Sequence, residues 1–341
     1  CGGTGTCGLC RVRVVAGGGV ALPTETARLT RAELAAGLRL ACQVVLRDDV
    51  AIEVPDELLD VRTIACTVRS TRSVSTFMKE IVLALPADAG LEFRAGAFVL
   101  VHCPPSRLRF ADIEVGAEYA AEWERLGLRR LTAVTDVPVA RAYSLANHPG
   151  EAGVVMLVVR IATPPPGADP GVPPGVVSSY VFGLAVGDEV VVSGPFGNFL
   201  AADSEREMVF VGGGAGMAPM RAHILDQLER RRTSRPISFW YGARSLRELF
   251  YRDLFDRLAA EHANFRWTVS LSEPRPGDAW DGAVGYVHRT LEERFLRAHP
   301  HPEECEYYLC GPPLMIRATR ALLDEYGVPA AHVHHDDFGG G

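Results

Sequence analysis

Hydrophobic and polar residues alternate along the first two thirds of the chain, and the pattern then changes. Residues 11–16 (Arg-Val-Arg-Val-Val-Ala) and 50–54 (Val-Ala-Ile-Glu-Val) alternate as half-buried strands do. Pro55 to Asp60 reads as a linker, and a new alternating run opens at 61–69. From 61 to 204 short strand patterns recur, among them 78–85, 97–103, 154–161 and 189–193, with Pro and Gly between them, most densely at 163–174. This grammar predicts an antiparallel barrel. Residues 104–130 interrupt it with a polar, helix-like stretch (Glu114, Glu118, Glu122, Trp123, Glu124), expected to be a solvated surface insertion.

After residue 205 apolar runs alternate with helix-length stretches. Strands are expected at 208–211, 237–241, 265–271 and 306–310, with a last one near His332–His335. Helices are expected from the glycine-rich turn after Val211 to about Arg231, and at about 246–260, 288–298 and 313–326. Alternating β and α units imply a doubly wound parallel sheet that binds ligands beyond the carboxyl ends of its strands. The organisation is thus multidomain: 1–57, 58–204 with the insertion 104–130, and 205–341.

Composition narrows the class. With 341 residues, 48% of them hydrophobic and 23% charged, the chain has an ordinary globular make-up. A net charge of −7 argues against nucleic acid as a partner. Lys79 is the sole lysine, which disfavours Schiff-base chemistry. No run of 18 or more apolar residues occurs. The chain opens at Cys1, inside a motif, so it reads as a trimmed fragment whose upstream part could carry an anchor.

Four of the eight cysteines crowd the first 42 residues, which points to metal or redox chemistry and not to a small disulfide scaffold. Cys1, Cys7 and Cys10 follow C-x5-C-x2-C, and Cys42 comes after 31 intervening residues. Four thiolates suit a [2Fe–2S] cluster, and the intervening glycines let backbone N–H groups face the sulfurs. Plant-type ferredoxins have one residue fewer in the first gap. A four-cysteine zinc site and a disulfide pair are the other readings, although Cys42 lacks the second C-x2-C of a zinc ribbon. A whole ferredoxin-like fold would also need strands ahead of Cys1.

Four further stretches carry candidate chemistry. Arg141-Ala-Tyr-Ser-Leu-Ala-Asn147 ends a strand, so Arg141 and Tyr143 share one face and Ser144 takes the other. An Arg/Tyr pair suits a flat anionic ligand, or serves packing alone. Gly175-Val-Val-Ser-Ser-Tyr180 begins a helix and can either cradle phosphate on its N–H groups or simply cap that helix. Gly212-Gly-Gly-Ala-Gly216 lies between a strand and a helix, where a diphosphate is bound in such sheets, or makes a tight turn only. It is not G-x-G-x-x-G, because Met217 stands where the last glycine would be, and Tyr241-Gly-Ala-Arg244 puts no acidic residue after the second strand. Cys310-Gly-Pro-Pro313 is a second strand-to-helix turn with its cysteine at the carboxyl edge, reactive or inertly buried. The tail reads Asp336-Asp-Phe-Gly-Gly-Gly341.

Together these motifs resemble the ferredoxin–NADP+ reductase superfamily joined to an N-terminal plant-type ferredoxin domain. Within it they resemble the family of F subunits of Na+-translocating NADH:quinone oxidoreductases, along essentially the whole chain. The family's membrane helix and the first part of its ferredoxin domain are missing from this sequence. The resemblance implies a partial β-grasp ferredoxin-like domain, an antiparallel β-barrel FAD domain and an α/β nicotinamide-binding domain. It implies that Arg141 binds the FAD pyrophosphate, that Tyr143 and Ser144 meet the isoalloxazine with Asn147 nearby, and that Gly175, Val176, Val177 and Ser178 hold the pyrophosphate. It implies that Gly212, Gly213, Gly214, Gly216, Met217 and Pro219 receive the NADH diphosphate. Cys310, with Gly311 and Pro312, would lie near the nicotinamide, with Cys310 and Ser144 at the reacting centre and Phe338 against the flavin. Cys1, Cys7, Cys10 and Cys42 would hold the cluster.

The implied activity is NADH dehydrogenase, the electron input of a sodium pump, with electrons passing from NADH through FAD and a [2Fe–2S] cluster to partner subunits and so to quinone. The implied location is the cytoplasmic face of the bacterial inner membrane. NADH in place of NADPH follows from the family alone, since Arg244, Ser245 and Arg247 could meet a 2′-phosphate. The reductase component of a multicomponent oxygenase has the same domain order and is the nearest alternative. A non-enzymatic metal-binding or interaction protein is the alternative of another class.

Overall fold

The computed structural model of the protein describes residues 3, 5, 8, 10–53, 61–165, 167, 169 and 171–336. One compact unit ends at Val61 and a second runs from Arg62 to Asp336. In the first, strand β1 (Arg11–Ala16), helices α1 (Pro23–Thr26) and α2 (Arg31–Ala35), and strands β2 (Leu38–Leu40) and β3 (Ala51–Glu53) follow in order. β1 lies between β2 and β3 and is antiparallel to both. The unit is tied by a buried ion pair. The Glu25 carboxylate accepts from Arg39 Nε and Nη2 at 2.8 and 2.7 Å, and from the Leu22 and Leu40 N–H groups at 2.8 and 3.0 Å. Burial opposes the Glu25 charge, but these bonds outweigh it and hold the carboxyl below its ordinary range.

The second unit begins with β4 (Arg62–Ser75), β5 (Met78–Ala84), β6 (Phe98–Cys103), β7 (Ser106–Arg109), α3 (Ala117–Arg125), β8 (Thr132–Thr135), β9 (Val139–Ser144), β10 (Val154–Arg160), α4 (Val176–Gly183) and β11 (Glu189–Phe196). Six of these strands pair antiparallel in the order β10-β5-β4-β11-β6-β9. A bridge between Leu145 and Leu157 joins the end of β9 to β10 and closes the barrel. Inward residues such as Val99, Val101, Leu157 and Val192 fill it. Cys66 and Cys103 join that core, and burial pushes their thiols up, Cys66 to about 11, so they act as small hydrophobes.

The insertion 104–130 corrects an expectation. It is not merely solvated: β7 pairs with β8, and Trp123 of α3 is fully buried. The indole N–H donates to Thr76 O at 2.7 Å, and the ring packs between Phe110 and Phe182. Trp123, with the partly buried Tyr119 one turn earlier, sets this polar helix against the barrel.

The chain then builds β12 (Met208–Gly213), α5 (Met217–Leu225, continued by a π-helical segment at Asp226–Arg230), β13 (Ile237–Ala243), α6 (Arg252–Glu261), β14 (Phe265–Leu271), β15 (Ala283–Val284), α7 (Val287–Leu291), β16 (Glu306–Cys310), α8 (Pro313–Glu325) and β17 (Val333–Asp336). The strands are all parallel, in the order β15-β14-β13-β12-β16-β17. The expected helix over 246–260 is split. Leu246–Glu248 forms a 3-10 turn, and α6 starts only after Tyr251, whose φ of 60° breaks the helix while its hydroxyl donates to Glu80 Oε2 of β5 at 2.5 Å.

The expected boundary at 204/205 separates two sheets but not two cores. Val74, Met78 and Met156 of the barrel pack in one cluster with Phe210, Met217 and Met220. A polar link runs beside it: Arg221 of α5 holds Glu151 with two bonds of 2.8 Å and donates to Ala146 O at 2.7 Å.

Candidate functional site

The site lies where β9 of the barrel meets the carboxyl edge of the parallel sheet. Arg141 pairs with Val101 and Tyr143 with Val99 across β6, so the two share a face as alternation predicts. Arg141 is exposed, whereas Tyr143 is half-buried against the barrel core, and desolvation raises its phenol pKa. Ser144 takes the opposite face, where its hydroxyl donates to Asp336 Oδ2 at 3.3 Å. Asp336 ends β17 directly beside Cys310, the last residue of β16.

The Asn147 side chain turns into its own loop. It is fully enclosed: its side-chain N–H groups donate to Val154 O and Glu151 O, and its oxygen accepts from Met156 N–H. It shapes the connection from β9 to β10.

Gly175 is the N-cap of α4, and Val176, Val177 and Ser178 form the first turn, whose N–H groups have no partner within the helix. A Cβ on Gly175 would come within 2.7 Å of Ala162 Cβ and 2.9 Å of Ser178 Oγ. The Ser178 hydroxyl is already engaged, donating to Gly175 O and accepting from Ala162 N–H, both at 3.1 Å. What this turn offers an anion is therefore its backbone. The other end of α4 is held by Lys79, whose ammonium donates to Phe182 O at 2.6 Å where the helix carbonyls point outward. Burial pushes that lysine down to about 8.

The two strand-to-helix turns of the parallel sheet touch through their backbones. A Cβ on Gly216 would sit 2.0 Å from Cys310 O, so only glycine lets the turn 212–216 close against Cys310. Gly212 and Gly213 end β12, Gly214 opens the short 3-10 turn, and Met217 and Pro219 lie buried in the first turns of α5. Gly311 and Pro312 carry the chain from β16 into α8. Cys310 does not project from the edge as its position implies. It stands there by register with Gly212, but its side chain is buried. It joins the core cluster shared by the barrel and the parallel sheet.

In the first unit, Cys10 and Cys42 bring their sulfurs to 3.2 Å of each other. Burial opposes ionisation of Cys42, but hydrogen bonds from the Gln43 amide, Cys10 and backbone N–H groups outweigh it and hold the thiol below its ordinary value. Gln43 also donates to Gly3 O at 2.7 Å. Cys1, Cys7 and Phe338 lie outside the described residues.

Three comparisons with known proteins bear on this arrangement. A 2Fe-2S iron-sulfur cluster binding domain matches residues 1–47, an oxidoreductase FAD-binding domain residues 128–200, and an oxidoreductase NAD-binding domain residues 210–321. The F subunit of the Na(+)-translocating NADH-quinone reductase of Methylococcus capsulatus is 52% identical over 340 residues, covering 100% of this chain and 84% of the relative. The chain belongs to the family of F subunits of Na(+)-translocating NADH-quinone reductases. The family member from Pseudomonas paraeruginosa is 50% identical and is matched over 83% of its length. Among solved structures, the Amycolatopsis cytochrome P450 reductase GcoB superposes with a TM-score of 0.71 at 25% identity, covering 98% of this chain and 89% of that one. The ferredoxin reductase of carbazole 1,9a-dioxygenase shares the fold, with a TM-score of 0.65 at 22% identity, covering 99% and 88%. The fold class expected for this family is thus present: a ferredoxin-type domain, an FAD-binding antiparallel barrel and an NAD-binding parallel sheet.

Motif and spacing assign no role to Asp336, Glu25, Arg39, Lys79 or Gln43. Asp336 is legible in the sequence only as part of the tail. Its contact with Ser144 spans 192 residues, which no local pattern reports.

Proposed function

We propose that this chain is the electron-input subunit of a sodium-pumping NADH:quinone oxidoreductase, which oxidises NADH and passes the electrons on singly. The carrying observation is the Ser144–Asp336 contact, because it sets the end of the barrel strand against the carboxyl edge of the parallel sheet. A flavin site and a nicotinamide site then open on one cleft. FAD, when bound, accepts electrons in pairs from NADH and releases them one at a time to a [2Fe–2S] cluster.

The residues present fit these groups. Gly175 leaves room for close approach at the start of an eight-residue helix, and Arg141 is exposed on the neighbouring barrel surface. Arg141 and the N–H groups of Val176, Val177 and Ser178 hold the FAD pyrophosphate. Tyr143 and Ser144 line the isoalloxazine, and Asn147 keeps their stretch in place. The turn from Gly212 to Gly216, with Met217 and Pro219, receives the NADH diphosphate at the start of α5. Cys310, Gly311 and Pro312 border the nicotinamide. Asp336 orients the Ser144 hydroxyl. Cys10 and Cys42, already side by side among N–H donors, hold the cluster with Cys1 and Cys7. The protein's contribution to electron transfer is positioning and exclusion of water.

Further subunits of the membrane complex take the electrons, and quinone is reached through them. No helix among the described residues is long and apolar enough to cross a membrane. As a subunit of that complex, the chain works at the cytoplasmic face of the inner membrane. Relatives at 50–52% identity favour this reading over an oxygenase reductase.

Arg141→Ala tests the flavin assignment. The variant folds, because Arg141 is exposed on β9, and it loses FAD on gel filtration that the parent retains. Equal flavin content in both proteins would remove Arg141 from the site.

A further inference from the structure

The second strand of the parallel sheet, β13, ends at Ala243 and is followed by Arg244. When a diphosphate sits at the first strand-to-helix turn, the end of the neighbouring strand is where the adenosine ribose is read. An acidic side chain there bonds the ribose hydroxyls, and an arginine accommodates a 2′-phosphate. By its own sequence, β13 therefore favours the phosphorylated nucleotide, which conflicts with an NADH-linked activity.

The neighbouring strand changes this. After β14 the chain runs on alongside the end of β13 and extends the parallel pairing: Ser272 N–H donates to Ala243 O at 2.9 Å and Glu273 N–H donates to Arg244 O at 2.7 Å. The Glu273 carboxylate accepts from Arg244 Nη2 at 3.0 Å. Asp278 fastens the stretch that follows, accepting from Leu246 N–H at 3.3 Å and Arg275 N–H at 2.8 Å. Ser245, the other small polar candidate, is buried at 3% exposure and does not present its side chain. Arg244 and Glu273 are both exposed, so their ion pair adds little to stability. Its consequence is electrostatic: the cation at the end of β13 is already matched by a carboxylate 3.0 Å away.

We propose that Glu273 is the specificity-determining residue for the nucleotide, supplying from β14 the acidic group that β13 lacks. It offsets Arg244, bonds an unphosphorylated adenosine ribose and repels a 2′-phosphorylated one. This rests on the reading of the glycine-rich turn as the NADH diphosphate site.

The probes are 5′-AMP and 2′,5′-ADP, titrated calorimetrically into the holoprotein, into Glu273→Gln and into the double variant Glu273→Gln/Arg244→Ala. Glu273→Gln should bind 2′,5′-ADP about tenfold tighter than the parent, because a like-charge repulsion is removed and Arg244 is released. The double variant should lose that gain, and 5′-AMP should show none in any form. In steady state with ferricyanide as acceptor, the kcat/KM ratio of NADH to NADPH should fall about tenfold in Glu273→Gln and recover in the double variant. An affinity for 2′,5′-ADP within twofold of the parent, a gain that survives loss of Arg244, or no measurable binding of either probe would overturn the proposal. A parent that binds 5′-AMP but oxidises neither nucleotide would instead count against the NADH dehydrogenase reading, and the 2′,5′-ADP comparison would still decide the role of Glu273.

Discussion

Single residues in this protein are set by what encloses them. Ser144 and Asn147 lie three positions apart, yet one reaches across to Asp336 and the other is spent on its own loop. Both are polar residues at a strand end, so the sequence could not separate them. His223 of α5 illustrates enclosure with a measurable consequence. It is fully buried, its Nε2–H donates to Phe199 O at 2.9 Å, and its Nδ1 has no partner among the described residues. Burial pushes its pKa down from 6.5 to about 4. Because the folded value is the lower one, the unfolded chain takes up a proton between those two values that the folded chain refuses. Stability attributable to this residue is intact above pH 6.5 and falls as the pH drops toward 4, by up to about 1.4 kcal/mol per pH unit. Urea unfolding at pH 7 and pH 5 should show a smaller pH effect in His223→Gln than in the parent. Equal pH effects in the two proteins would show that His223 takes its proton in the folded state.

At the scale of elements, legibility depends on whether a segment's pattern is also its packing. β1, β14 and β16 fall at the bounds that alternation or short apolar runs predict, because their side chains meet the neighbours that such a pattern implies. The helix after β13 departs from its pattern because Tyr251 is drawn to Glu80 on the barrel, a tertiary bond that overrides local propensity. The insertion departs from its pattern because the charge of α3 outweighs, in any local count, the aromatics that dock it, Trp123 foremost. Trp123→Ala removes that anchor, leaving a cavity beside Phe110 and Phe182 and an unpaired Thr76 carbonyl. The expected loss is about 3–5 kcal/mol in denaturant unfolding of the second unit. A loss below about 1 kcal/mol would mean that α3 is held by contacts other than Trp123.

For the molecule as a whole, three kinds of chemistry are legible because each has its own sequence grammar: spaced cysteines, a barrel strand ending in Arg-x-Tyr-Ser, and glycine-rich strand-to-helix turns. Their convergence is not legible, since the joining contacts are long-range. Arg221–Glu151 links α5 to the loop after β9, and the core running from Met78 and Met156 to Phe210 and Met217 makes barrel and parallel sheet one body. That continuity supports the central claim that this chain turns a two-electron donor into a one-electron source. The direct test is an anaerobic titration of the purified protein with NADH, following flavin absorbance and the electron paramagnetic resonance of the reduced cluster in the same samples. The flavin should bleach and the reduced-cluster signal should rise in step with added NADH. A flavin that stays oxidised, or one that bleaches while no reduced cluster forms, would contradict the account.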